Sequence, residues 1–273
     1  MLNFGCGGTF HADWVNLDSF PASPTVIAHD LATKLPFEEG HFDAVYGSHV
    51  LEHFDSLGAR NLLADCRRVL KPGGIIRIVV PDLEAIVRLY LECMKGAIAG
   101  NRQDQAQYEW ILLELFDQMT RGNPGGRMKT FLGTKMDDSL ARFVAARLGD
   151  EGNVAGMSSP ERQPFLWRSM RRMGLEATRM REDLVRAFAF LLLGKRGGKG
   201  VREGFFRSSG EIHQWMYDRY SLAQLLEGIG FTGAHQSRAG ESGITGFAGY
   251  QLEILEGRER KPDSLYMEAR KPG

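Results

Sequence analysis

Over the first third of the chain the apolar residues fall in short runs separated by polar, glycine-rich or proline-containing breaks. Leu2 to Phe4, Trp14 to Leu17, Thr25 to Ala28, Asp43 to Gly47 and Ile75 to Val80 read as strands. Between the last two, Leu62, Leu63, Cys66, Val69 and Leu70 recur at helical spacing, predicting a helix over Ser56–Leu70 that Lys71-Pro72-Gly73-Gly74 stops. Pro81-Asp82 opens another helix, Leu83 to Met94. Strands alternating with helices imply a parallel sheet with right-handed crossovers. From Lys95 the period changes. Residues 103–120 predict an amphipathic helix with Tyr108, Ile111, Leu112, Leu115, Phe116 and Met119 on one face. Asp138 to Leu148 predicts a second helix, and about Gln163 to Leu193 a third, broken at Gly174. GKRGGKG (194–200) reads as a mobile loop. After Gly210 the α/β pattern resumes, with a helix over Ser221–Gly230 capped by Ser221, then strands Ala234–Arg238 and Ser264–Ala269. The expected organisation is an α/β core of residues 1–95 and 206–273, with residues 96–205 a helical insertion serving as a lid.

Composition narrows the field. The 273 residues are 43% hydrophobic and 25% charged, with 34 basic and 34 acidic residues. A balanced charge argues against nucleic acid as the partner. Three scattered cysteines, Cys6, Cys66 and Cys93, suit a reducing cytoplasm better than a disulfide framework. The N-terminus enters the first strand at once, so no secretory leader is expected. No apolar run reaches the roughly 18 residues a bilayer span requires.

The chemistry starts at MLNFGCGGTFHADWVNLD. A glycine turn directly after a strand lets backbone N–H groups approach a ligand with no Cβ in the way. An acid closing the next strand can accept from a ribose diol. A dinucleotide fingerprint would place that acid about 20 residues on, with a third glycine opening a phosphate-binding helix. Here Phe10 stands at the third glycine position and Asp18 follows Gly7 by 11 residues. The spacing suits a nucleoside without phosphates.

In order along residues 2–82 stand LNFGCGG, NLD, HDL, LPF, FDAVYGSHVLEHF, RRVLKPGG and IIRIVVPD. This series resembles the type-11 branch of class I S-adenosylmethionine-dependent methyltransferases, which usually carry Asp or Glu where this chain has Asn3. The resemblance implies a Rossmann-like fold: a seven-stranded, mostly parallel sheet with an antiparallel carboxyl-terminal strand, here with a helical insertion. It also implies S-adenosyl-L-methionine as cofactor. Phe4, Gly5, Cys6 and Gly7 would form its glycine loop and Asp18 would hold the ribose. Asp30 would face the adenine amino group, Leu31 would pack on the ring, and Ser48 and His49 would lie beside the sulfonium. The phrases YEW…LELFDQM and SGEIHQWMYDRYSL resemble, more loosely, a bacterial methyltransferase subgroup.

His49 is the first candidate catalytic base and His213 the second, each an imidazole able to take a proton from an incoming hydroxyl or amine. Alternatively His49 only shapes the pocket, since methyl transfer needs little beyond alignment. His49, Glu52 and His53 spell H-x-x-E-H, a zinc spacing when on one helix, but His49 should sit at a strand end and no metal is assigned. Ser209 to Tyr220 is dense in ionisable and aromatic groups and reads as a substrate wall. Between Arg162 and Arg202 eleven Lys/Arg stand against three acids, beside the apolar Phe188–Leu193. Such a helix presents a solvated face, makes peripheral contact with an anionic membrane or binds a phosphorylated substrate. The reading is methyl transfer to an oxygen or nitrogen of a small molecule, sugar or lipid-linked. Its rivals are a cofactor-binding protein without catalysis and a metal-dependent enzyme using His49, Glu52 and His53.

Overall fold

A computed structural model describes residues 1–149 and 165–273, with the backbone alone for 165–179. Seven strands form the main sheet: β1 Leu2–Phe4, β2 Val15–Asp18, β3 Ile27–Ala28, β4 Phe42–Ser48, β5 Leu70–Pro81, β6 Thr232–Ser237 and β7 Ser264–Arg270. They lie in the order β3-β2-β1-β4-β5-β7-β6. The first five run parallel, β1 pairing Leu2 with both Val15 and Val45. β7 is antiparallel to both neighbours, β5 and β6. The sheet is thus Rossmann-like and mostly parallel, with the antiparallel strand last in the chain.

Period-two alternation sorts its side chains. Val45, Ile76, Ile78, Val80, Leu265, Met267 and Ala269 face one side, where they meet Ala59, Leu62, Leu63 and Cys66 of α1 (Ser56–Val69) and Leu222 and Leu226 of α7 (Arg219–Ile229). Ala44, Tyr46, Ile75, Val79 and Tyr266 face the other. No helix crosses that second face between β1, β2 and β3, because their connections are turns. The carboxyl-terminal stretch covers it instead, through Ala239, Ile244, Phe247 and Leu252 around Trp14. Arg77 of β5 also points there. It is wholly buried and donates from Nε and Nη2 to the two Glu253 oxygens, each at 2.7 Å, and from Nη1 to Glu268 at 2.9 Å.

The helical part has its own core, formed by Ile86 and Cys93 of α2 (Leu83–Ile98), Trp110, Ile111, Leu113 and Leu115 of α3 (Arg102–Thr120) and Leu140 and Val144 of α5 (Asp138–Leu148). Between the last two lies the short α4 (Gly126–Leu132). Carboxylate or amide side chains cap five of the described helices in both parts of the chain: Asp55, Asp82, Asn101, Asp137 and Asp218. Such caps each contribute about 1 kcal/mol.

The structure corrects several expectations. α3 turns inward by Trp110, Leu113, Glu114 and Asp117 as well as Ile111 and Leu115, while Phe116 is 56% exposed. Two carboxylates share its buried stripe because Arg147 reaches Glu114 at 2.7 Å and Arg121 reaches Asp117 at 2.9 Å. The cap of α7 is Asp218, and Ser221 completes a capping box from the third helical position. α6 spans Phe165–Arg207, while Gln163 and Pro164 lie outside the described residues. Its non-helical dihedrals are at Gly194 (φ 65°, ψ −158°) rather than Gly174, a conformation open to glycine alone. The expected loop after it is helical. A Cβ on Gly198 would stand 3.9 Å from the Arg186 carbonyl oxygen. In a straight helix twelve residues span about 18 Å, so the chain doubles back at Gly194. Gly197 lets the two arms meet, since a Cβ there would come within 2.6 Å of the Ala189 carbonyl oxygen.

Candidate functional site

At the carboxyl ends of β1, β4 and β5 opens a cavity of about 770 Å³. Ligands bind at this edge in open α/β sheets. Gly5 to Thr9 form one wall, Ser48 and His49 the next, and a polar segment from Leu252 to Lys261 the third. The loop's shape follows from its glycines. Gly5 has φ 61°, and a Cβ on it would meet Val50 Cγ2 at 2.2 Å, so only glycine brings this turn against the end of β4. Gly7 has φ 52°, and the space where its Cβ would stand is open, leaving its backbone accessible. Asp18 closes the loop from below, Oδ2 accepting from Gly7 N–H and Oδ1 from Phe20 N–H, both at 2.7 Å.

Asn3, at the foot of the cavity, donates to the Thr9 carbonyl and to Asn16 Oδ1, each at 3.1 Å. An amide here suits Asn16 on the neighbouring strand, which in turn holds the His11 and Trp14 carbonyls. Burial, with Asp18 nearby, pushes the Cys6 thiol up to about 12. Phe4 lies beneath the lining at 1% exposure, its ring against Gly47. Asp30 is exposed and caps its own turn through Ala32 N–H, and Leu31 is buried beside it; neither lines the cavity. Gly5, Cys6, Gly7, Ser48 and His49 are thus brought together, with Asp18 one hydrogen bond behind them.

His49 ends β4 in a left-handed conformation, φ 54°. Its N–H completes the ladder on Val79 O at 2.8 Å, and its Nε2 meets Ser264 Oγ at 2.8 Å. Nδ1 lies 3.4 Å from Glu52 Oε1. Burial above all, then Lys261, His213 and His53, hold the imidazole well below the usual histidine range. The H-x-x-E-H triplet does not share one helix, since only Leu51–His53 form a helical turn and His49 precedes it.

His213 lies elsewhere than the large cavity. It lines a second one of about 230 Å³, with His53, Glu52, Glu211 and Arg121, and the two cavities share His49 and Lys261. The His53 and His213 rings stand edge to face at 4.8 Å, and burial lowers His213 to about 3. Of the expected wall 209–220, Ile212, His213 and Tyr217 turn inward, whereas Trp215 and Tyr220 are 52% and 73% exposed. The backbone explains the split: Gln214 and Trp215 N–H both donate to Glu52 O, strapping this segment edge-on to the turn.

The wall from Leu252 to Lys261 has no counterpart in the sequence reading. It is built on a hairpin, Ile254–Leu255 against Arg258–Glu259, whose connecting residues Glu256 and Gly257 both have positive φ. Glu-Gly between two short runs was the available signal, a relative of the Asp-Gly turn.

Residues 2–78 match the family model described as "Methyltransferase domain", type 11. This stretch is a class I methyltransferase domain of the type-11 branch. The cofactor is S-adenosyl-L-methionine and the enzyme a methyltransferase. Open space at Gly7, the Asp18 carboxylate behind it and a loop that runs into a turn rather than a phosphate-binding helix fit that nucleoside. No curated protein matches the chain. Among solved structures, this methyltransferase is similar to a Haloferax volcanii methyltransferase in complex with its Trm112 activator (11% identity, 100% of this chain and 82% of that one, TM-score 0.39). It is also similar to an Archaeoglobus fulgidus SAM-dependent methyltransferase (12%, 99% and 85%, 0.39). Both are loose likenesses. Among the described residues no helix is long and apolar enough to cross a membrane.

Proposed function

We propose that this methyltransferase acts on an oxygen or nitrogen of a small molecule, sugar or lipid-linked, held between the glycine loop and the 252–261 wall. The cavity is the observation that carries this reading. Its volume of about 770 Å³ is toward the upper end of the ~300–1,000 Å³ usual for ligand sites, leaving room for an acceptor beside the nucleoside. S-adenosylmethionine supplies the electrophilic methyl group. Gly5, Cys6 and Gly7 would hold it by backbone groups and Asp18 by its carboxylate. Asp30 and Leu31 would meet its adenine at the rim, and Ser48 and His49 would border the transfer end. His49 Nε2 already faces the Ser264 hydroxyl, so its first role is to fix that wall, and an acceptor hydroxyl displacing Ser264 would find the same nitrogen. Alignment and exclusion of water supply most of the rate. Three buried free thiols favour a cytoplasmic setting.

Titration calorimetry with S-adenosylhomocysteine and with NAD tests the pocket. Heat with the first and none with the second is expected; the reverse sinks the reading. Labelled methyl transfer across panels of sugars, phenols and amines then finds the acceptor, and activity confined to nucleic acid would overturn the small-molecule assignment.

A membrane-linked acceptor is a second reading. Phe190, Leu191, Leu192 and Leu193, exposed by 54% to 80%, lead into the reversal at Gly194, and exposed Lys195, Arg196 and Lys199 follow it. An apolar tip flanked by cations suits an anionic lipid surface. The basic side chains at 162–179 lie outside the described residues.

A further inference from the structure

The small cavity holds a set of groups that the transfer reaction leaves unused. One ligand atom from each of Glu52, His53 and His213 lies within 4.8 Å of the other two. These residues come from two segments far apart in sequence, His53 and Ile212 being separated by 159 positions, so the cluster is made by the tertiary fold. The fold fixes them by backbone. Gln214 and Trp215 N–H donate to Glu52 O, Gln214 Nε2 donates to His53 O at 2.8 Å, and His213 N–H donates to Gln118 O at 3.1 Å. His53 Nδ1 faces the Ile212 carbonyl at 3.2 Å. Because that carbonyl can only accept, Nδ1 carries a proton, which leaves Nε2 as the nitrogen a metal would take, the arrangement that orients metal-bound histidines. Glu52 is 0% exposed and sits 3.4 Å from His49 Nδ1.

We propose that Glu52, His53 and His213 bind one divalent transition metal, zinc being the best match, and that the metal takes an oxygen of the acceptor. Two imidazoles and a carboxylate are a zinc donor set that leaves a position open. Bonds of about 2.0–2.2 Å bring ligand atoms to roughly 3.3 Å from one another, so side-chain shifts of about 1 Å close the site. His49 and Lys261 line both cavities, so the open position adjoins the proposed acceptor space at the wall they share. The acceptor class is then a hydroxyl-bearing molecule rather than an amine. This part rests on the proposed transfer reaction; the metal site itself does not.

The test is zinc and cobalt binding to chelator-stripped full-length protein, with S-adenosylhomocysteine titrated in parallel. One zinc per chain is expected, with the intense visible bands of four- or five-coordinate cobalt. Glu52→Gln and His213→Gln should each weaken zinc about 100-fold or more, while His41→Gln, an exposed histidine, should not. S-adenosylhomocysteine heat retained by both ligand variants certifies that they fold; if one is lost, the other carries the test. Substoichiometric zinc, a cobalt spectrum like that of the aqueous ion, or zinc affinity in the two variants equal to that of the wild type overturns the metal site even with nucleoside binding intact. Zinc binding without nucleoside binding would instead overturn the transferase pocket alone.

Discussion

Asp18 spends both carboxylate oxygens on backbone N–H groups, those of Gly7 and Phe20, yet each oxygen keeps a second lone pair for a ribose hydroxyl. Its removal should therefore act twice. Asp18→Ala should abolish the thermal shift that S-adenosylhomocysteine gives, and should lower unliganded stability by about 0.5–1.5 kcal/mol, because solvent can take over the two N–H groups it releases. A thermal shift equal to wild type refutes the ribose contact. Nearby, Cys6 answers a different probe. A thiol raised to about 12 is deprotonated in only about one molecule in ten thousand at pH 8. Because the thiolate is the reacting form, native protein should be nearly silent to a disulfide reagent at pH 8. Reactivity should rise about tenfold per pH unit toward 12, provided the fold persists; a fast stoichiometric reaction at pH 8 contradicts this. Gly47 tests packing alone. A Cβ there would lie 2.1 Å from the Phe4 ring, whereas one on Gly8 meets nothing. Gly47→Ala should cost about 1–3 kcal/mol in urea unfolding, and Gly8→Ala less than about 0.5 kcal/mol.

β5 and β7 are joined by more than their ladder, because Arg77 binds Glu268 of β7 and Glu253 beyond β6, and caps the Arg238 and Glu241 carbonyls. Its guanidinium also lies 5.0 Å from the Phe247 ring and 5.5 Å from that of Tyr266. Arg77→Met keeps the volume but strands two buried carboxylates, so urea unfolding should show a loss of about 3–5 kcal/mol; a neutral result means the network is dispensable. None of this was legible in IIRIVV, where one arginine among apolar residues simply marks a strand. The strands themselves were legible because alternation is local. So was the glycine loop, since its positive-φ glycines and the acid behind them stand 11 residues apart. α3 misled because Glu114 and Asp117 look like solvent-facing residues, and the partner that lets Glu114 be buried, Arg147, is 33 residues away. The cluster of Glu52, His53 and His213 was half legible: H-x-x-E-H set Glu52 and His53 side by side, but nothing local joined His213 to them. The strap 212–215 brings His213 in, while His49 stays 3.4 Å from Glu52 and meets Ser264 on its other side.

Taken whole, the described residues carry polar chemistry at the strand ends and a run of exposed apolar side chains on a helical hairpin. Met180, Leu184, Phe188 and Leu191 are each 63% to 80% exposed, a repeat of three to four residues along one arm. Burying four such side chains in a lipid interface contributes about 1.5–3 kcal/mol each before ordering costs, and each nearby cation about 1 kcal/mol on an anionic leaflet. Either contribution alone gives weak attachment; together they give reversible binding that depends on both lipid charge and salt. Full-length protein should co-sediment with phosphatidylglycerol vesicles and not with phosphatidylcholine vesicles, and 0.5 M salt should release most of it. Leu191→Glu with Leu192→Glu should weaken the binding by about tenfold or more and leave S-adenosylhomocysteine heat unchanged, since the hairpin contributes no residue to the nucleoside cavity. Equal sedimentation with both lipids would remove the cationic part of the argument. No sedimentation with either would leave the hairpin a solvated surface and return the acceptor to the soluble small molecules.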